Sequence, residues 1–146
     1  MKVLMKVDYG VRALVDLSQR YGRGPVRTAE IAARQSIPEP YLDQILLILR
    51  KAGIVASRRG PHGGYILARE PDQITLSMVM SILEESAAPV DCIHGTRECP
   101  KSDRCTQQEI WRTVEEKVQQ VLAATSIGQL ARRQAEREAQ PLSYVS

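Results

Sequence analysis

The sequence predicts a mainly α protein with a small β wing: a winged helix-turn-helix followed by a long C-terminal helix. Two features carry that reading. Three segments with helical apolar spacing stand in succession, the second short and joined tightly to the third. Two short β-type segments then flank a basic, glycine-rich turn.

The first helical pattern runs from about Asp8 to Arg20. It places Val7, Val11, Leu14, Val15 and Ser18 on one face, with Leu4 leading in, and Tyr21-Gly22-Arg23-Gly24-Pro25 breaks it. Thr28 suits an N-cap for a short helix from Ala29 to about Gln35, with Ile31 and Ala32 facing inward. After Ser36-Ile37 a third helix starts near Pro38-Glu39-Pro40, where backbone N–H groups have no internal partner and proline is tolerated. Leu42, Ile45, Leu46 and Leu49 form its core stripe, and Gly53 ends it. Ile54 to Ser57 and Tyr65 to Ala68 read as strands around Arg58-Arg59-Gly60-Pro61-His62-Gly63-Gly64. A helix follows from Thr75 to about Glu85, and then a cysteine-bearing segment bounded by Pro89. A long helix from Cys105 to about Ala124 carries Trp111, Val114, Val118, Val121 and Leu122 on one side. A charged helix from Ile127 to Glu138 precedes a tail expected to be mobile. The expected organisation is a DNA-binding unit over 1–85, a cysteine loop over 86–105, helices over 106–138 and a tail over 139–146.

Charge is distributed unevenly. Residues 1–70 hold twelve Lys/Arg against six Asp/Glu, a balance of +6; residues 71–146 hold eight against eleven, a balance of −3. A basic half beside an acidic half suits a chain of which one half meets a polyanion. No run approaches the ~18 apolar residues of a membrane span. The start lacks the apolar core and cleavage site of a secretory signal, so a cytoplasmic protein is expected.

Within the helix-turn-helix, the apolar stripe of the third helix holds it to the core. Its other side offers Glu39, Tyr41, Asp43 and Gln44, with Lys51 further along. The N-terminal end of such a helix enters the major groove, where Gln44 can bond base edges and Asp43 can accept from cytosine N4. Thr28 opens the preceding helix at the same interface. Arg58 and Arg59 in the wing can take phosphate or enter the minor groove, and His62 adds a contact at the tip. Affinity should be largely electrostatic and salt-dependent.

Cys92, Cys99 and Cys105 are spaced C-x6-C-x5-C. An odd count in one short stretch does not suit a disulfide framework, and the C-x2–4-C pairs of structural zinc sites are absent. On spacing alone three readings stand: a metal site, a redox thiol site, or three free cysteines.

The runs Tyr41-Leu42-Asp43-Gln44, Leu49-Arg50-Lys51-Ala52-Gly53-Ile54-Val55 and Arg59-Gly60-Pro61-His62-Gly63-Gly64-Tyr65 resemble the IscR/NsrR-type (Rrf-type) bacterial regulators. The opening Asp8-Tyr9-Gly10-Val11-Arg12-Ala13-Leu14 is similar too. The resemblance covers nearly the whole chain except its tail. It implies a homodimer on a palindromic operator in double-stranded DNA, with the long helix as the C-terminal dimerisation helix. It also implies an iron–sulfur cluster, [2Fe-2S] or [4Fe-4S], held by Cys92, Cys99 and Cys105.

Three departures stand out. The gap between the first two cysteines is one residue longer than usual in the family. Pro38 and Pro40 stand where family members often carry polar residues. Thr106, Gln107 and Gln108 occupy the positions where one branch places a ligand histidine. In the nitric-oxide-sensing branch an aspartate near the start of helix one, from the other subunit, completes the site, and Asp8 matches it; His94 is the alternative. The implied function is a cluster-dependent repressor sensing nitric oxide, redox state or iron supply. The competing expectation is a cluster-free regulator of the same fold answering to thiol oxidation, a metabolite or a partner protein. An enzyme is not expected: there is no Gly-rich nucleotide loop or recognisable catalytic triad, and the histidines are His62 and His94 alone.

Overall fold

The computed structural model describes residues 3–84 and 105–141. Helix α1 spans Met5–Gln19, α2 Thr28–Gln35 and α3 Glu39–Lys51. Strands β1 (Val55–Arg58) and β2 (Gly64–Leu67) pair antiparallel, with Val55 opposite Leu67 and Arg58 opposite Gly64. A short 3-10 turn over Pro71–Gln73 leads into α4 (Leu76–Leu83). Beyond the cysteine segment come α5 (Thr106–Ala124) and α6 (Ile127–Ala139). The mainly helical architecture with a β wing is the one expected.

Local signals account for most boundaries. α1 begins three residues before Asp8, because the Leu4 carbonyl accepts from the N–H groups of Val7 and Asp8 at 3.0 and 3.1 Å. Leu4 and Met5 are exposed, so they leave no burial pattern to read. Thr28 is not an N-cap but the first helical residue. Arg27 precedes it in extended conformation, and its carbonyl accepts from Glu30 and Ile31. Gly53, at φ 79°, closes α3 in a paired-bond cap: Gly53 N–H donates to the Arg50 carbonyl and Ile54 N–H to that of Leu49, both at 3.0 Å. Pro38 stands at the N-cap of α3 and Pro40 in its first turn, as the missing N–H groups allow. The turn from α2 to α3 passes through Ser36 in the left-handed region, φ 54° and ψ 48°.

Among the described residues, one core collects side chains from Val7 to Leu83 together with Ile127. Leu14 of α1, Ile31 of α2, Leu42, Ile45, Leu46 and Leu49 of α3, Ile54, Ile74 and Ile127 are all essentially inaccessible. Each aliphatic side chain of this kind contributes about 1.5–3 kcal/mol when buried. The expected α3 stripe is therefore fully buried. In α1 the buried set differs from the predicted face: Gly10, Ala13 and Leu17 join Val7 and Leu14, while Val11, Val15 and Ser18 are only half-buried, because α6 packs on α1 as well as α2, α3, α4 and β2. Gly10 lets α4 come close, since a Cβ there would lie 2.5 Å from Leu83 Cδ1. The chain returns to this core through backbone bonds: Leu76 N–H to the Thr125 carbonyl at 2.9 Å and Ile127 N–H to that of Ile74 at 2.7 Å. Ser126 and Gln129 form a capping box that starts α6. In contrast, α5 leaves Ile110, Trp111, Val114 and Val121 exposed.

Among the described residues, one acidic side chain is buried with the core. Asp16 of α1 has no exposed side-chain surface. Its Oδ1 accepts from Arg20 Nη1 at 2.8 Å, and both carboxylate oxygens accept from Arg34 Nε, at 2.9 and 3.0 Å. Arg34 belongs to the last turn of α2, so this bridge fixes α2 on α1. Replacing Asp16 with asparagine is expected to lower unfolding free energy in urea by about 2–3 kcal/mol. That is below the cost of breaking a fully buried pair, because Arg20 and Arg34 keep 31% and 34% of their side-chain surface in water and can rehydrate. An unchanged urea midpoint would remove the bridge from the stability of the fold.

Candidate nucleic-acid interface

The α2–turn–α3 unit presents the polar residues read from the sequence. Glu39, Tyr41, Asp43 and Gln44 are exposed in the first turns of α3, on the side away from Leu42, Ile45 and Leu46. Thr28 is half-buried at the start of α2. Tyr41 is not free-standing. Its ring meets that of Tyr9 edge-on, centroids 5.7 Å apart and planes at 80°. Arg12 lies over the Tyr9 ring at 5.5 Å and donates to the Gln35 carbonyl at 3.3 Å. The helix that carries the proposed base contacts is thus braced from α1.

The wing carries Arg58 at the end of β1 and Arg59 and His62 in the connecting loop, all exposed. A two-stranded hairpin alone has marginal stability in water. Here it gains a third partner. Val26, just before α2, exchanges both backbone bonds with Tyr65, N–H to carbonyl at 2.9 and 2.8 Å. Arg27 adds a bond from Nη2 to the Pro61 carbonyl in the loop. Gly64, at φ 152°, makes the junction possible, because a Cβ there would run into the Val26 carbonyl. Arg50 near the end of α3 donates to Ser57 Oγ at 3.3 Å, joining α3 to β1. Further exposed cations, Arg27, Lys51 and Arg69, stand on these same elements and their flanks. Sequence reading missed Val26, Arg27, Tyr9 and Arg12. Val26 is a lone extended residue with no strand pattern around it, and the others act through partners distant in sequence.

Of the four expected cluster ligands, Cys92 and Cys99 lie outside the described residues, as does His94. Cys105 is a free thiol of intermediate exposure at the N-cap of α5. Asp8 is in the first turn of α1 with 48% of its side chain exposed, its Oδ2 accepting from Arg12 Nη2 at 2.8 Å. Among the described residues no three His, Cys, Asp or Glu side chains converge on one point. No described helix is long and apolar enough to cross a membrane.

Comparison with known proteins converges on one family. Rrf2, described as an iron-dependent transcriptional regulator, matches residues 4–133. The HTH-type transcriptional regulator IscR of Aliivibrio salmonicida is 41% identical over 130 residues, covering 89% of this chain and 77% of the relative. Among solved structures, T. potens IscR superposes with a TM-score of 0.79 at 37% identity, covering 99% of this chain and 95% of that one. CymR, the global cysteine regulator of B. subtilis, superposes with a TM-score of 0.72 at 33% identity, over 91% and 98% of the two chains. A CymR from Staphylococcus aureus in an oxidised form gives 0.72 at 28% identity, over 90% and 96%.

The wing junction makes a sharp test. Gly64→Ala forces a side chain against the backbone of Val26 and is expected to cost about 1–3 kcal/mol in chemical denaturation. It should also speed hydrogen exchange at the Val26 and Tyr65 amides. Wild-type exchange at both amides would contradict the pairing.

Proposed function

Because this chain belongs to the Rrf2 family of transcriptional regulators, we propose that it is a cytoplasmic repressor that binds a palindromic operator as a homodimer and reports on an iron–sulfur cluster. The observation that carries the DNA-binding part is the pairing of an exposed polar first turn on α3 with a basic wing docked against the start of α2. Glu39, Tyr41, Asp43 and Gln44 read base edges, Thr28 and Arg58 hold the backbone, and Arg59 and His62 reach the adjacent groove. The exposed residues Ile110, Trp111, Val114 and Val121 of α5 suit a second copy of the same helix.

The donor chemistry fits a cluster. Three thiols between positions 92 and 105 supply soft ligands, and Cys105 stands where the segment joins the proposed dimer helix. Asp8 would suit a fourth, oxygen ligand to a cluster held by the partner subunit's cysteines, because an exposed ion pair such as its contact with Arg12 is worth no more than about 1 kcal/mol. When bound, the cluster would supply an iron site reactive toward nitric oxide or oxygen. Asp8 lies one helical turn before Arg12, which touches both Tyr9 and the end of α2. A change at Asp8 is therefore felt beside the helix-turn-helix. This is a two-state element biased by a ligand. A second reading, regulation by thiol oxidation without metal, is favoured by the likeness to CymR and its oxidised form.

Protein purified without oxygen is expected to show visible absorption with stoichiometric iron and sulfide, bleached or shifted by nitric oxide. Asp8→Ala should alter the spectrum or the gas response. A colourless protein that resists reconstitution would favour the thiol reading, and an Asp8→Ala protein indistinguishable from wild type would remove Asp8 from the site.

The DNA contacts separate by salt. Gln44→Ala should weaken binding by about 1–3 kcal/mol and relax sequence preference at one position. Arg58→Ala, which removes a phosphate contact, should weaken all duplexes alike and lower the log–log salt slope by about one. Titrations at several salt concentrations check both; no effect from either variant would overturn the interface.

A further inference from the structure

The wing loop is rich in glycine, the residue that loses most conformational freedom on being ordered. Between Arg58 and Gly64 it holds Gly60 at φ 112° and Gly63, and its internal backbone bond is Gly63 N–H to the Gly60 carbonyl at 3.0 Å. The loop also carries Arg59 and His62. A flexible loop must be ordered before it can contact a duplex, and that ordering weakens apparent affinity by the fraction of time the loop is misplaced. The base of the wing is held by the Val26–Tyr65 pair. The tip is held from the next residue in the chain: the Arg27 guanidinium donates to the Pro61 carbonyl. A cation donating to a carbonyl makes one of the stronger neutral-acceptor bonds. Arg27 is also the N-cap of α2, its own carbonyl closing the first turn of that helix.

We infer that Arg27 is a positioning residue that clamps the wing tip to the start of α2, so that the wing and the helix-turn-helix approach DNA as one preformed surface. This rests on the reading that the wing meets DNA. Two adjacent residues, Val26 and Arg27, then hold the two ends of the wing, one through backbone and the other through side chain. The role differs from that of a phosphate contact, which an exposed arginine beside α2 would otherwise suggest. A phosphate contact releases counterions and sets the salt slope; a clamp changes only the fraction of protein ready to bind.

The test uses the full chain and a duplex that the wild-type protein selects from a random-sequence pool. Binding is measured across salt concentrations for wild type, Arg27→Ala, Arg27→Lys, Arg59→Ala and the Arg27→Ala/Arg59→Ala double variant. Limited trypsin digestion without DNA follows cleavage after Arg58 and Arg59 in wild type and Arg27→Ala. The expected result is binding about fivefold weaker for Arg27→Ala, as when the docked wing falls to about a fifth of the population. The salt slope should be unchanged, cleavage at the wing faster, and Arg27→Lys close to wild type. Little further loss is expected when Arg27→Ala is added to Arg59→Ala. A slope lower by about one with unaltered cleavage would make Arg27 a phosphate contact and overturn the inference. So would wild-type cleavage and wild-type binding together. If Arg59→Ala binds as tightly as wild type while Arg27→Ala is cleaved faster, the wing reading beneath the inference fails, and the positioning role falls with it although the clamp exists.

Discussion

The carboxylate of Asp16 has no water to turn to, and the placement of α2 follows from that. A buried charge is tolerable only when its partners and hydrogen bonds are complete. Arg20 supplies one partner from the next turn of α1, and Arg34 supplies a second that grips both oxygens. Arg34 can do so only if the last turn of α2 lies against this part of α1. The apolar contacts of Ile31 and Ala32 draw α2 to the core without direction; the ion bridge adds the register that apolar packing alone leaves loose.

From α2 the rest of the candidate interface is hung. Its C-terminal end turns through Ser36 into α3, whose buried stripe sets the polar residues outward. Just before its N-terminal end, Val26 and Arg27 hold the wing. The opposite side of α1 is closed by α6, with Ile127 and Ala131 in the core. The C-terminal part of the described chain is thus not a separate appendage: α6 shares the core built by α1 to α4, and α5 packs on α4. This connectivity gives an event near Cys105 or Asp8 a short physical route to the helix-turn-helix.

Much of the fold was legible because its elements obey local rules. The stripe of α3, its stop at Gly53 and the strand–glycine–strand wing each follow from spacing or turn chemistry within about a dozen residues. The illegible parts are those decided across the chain. Asp16 looks like a solvated helix carboxylate; its burial depends on Arg34, eighteen positions away. The Arg20 four residues on was a visible signal, but an ordinary one. Val26 pairs with Tyr65 through backbone alone, so side-chain pattern could not disclose it. Charge on α6 concealed that Ile127, Gly128 and Ala131 pack inward. At the candidate site, exposure of Glu39, Tyr41, Asp43, Gln44, Arg59 and His62 was readable from the buried stripe and the turn. The bracing of Tyr41 by Tyr9 and of the wing by Arg27 was not.

The account stands on α2, α3 and the wing meeting a duplex together. Hydrogen–deuterium exchange of the protein, free and bound to a selected duplex, tests that most directly. Protection is expected at the start of α2, over the first two turns of α3 and across the loop from Arg58 to Gly64, with α6 unchanged. Protection confined to α5 and α6, or to α3 without the wing, would contradict it.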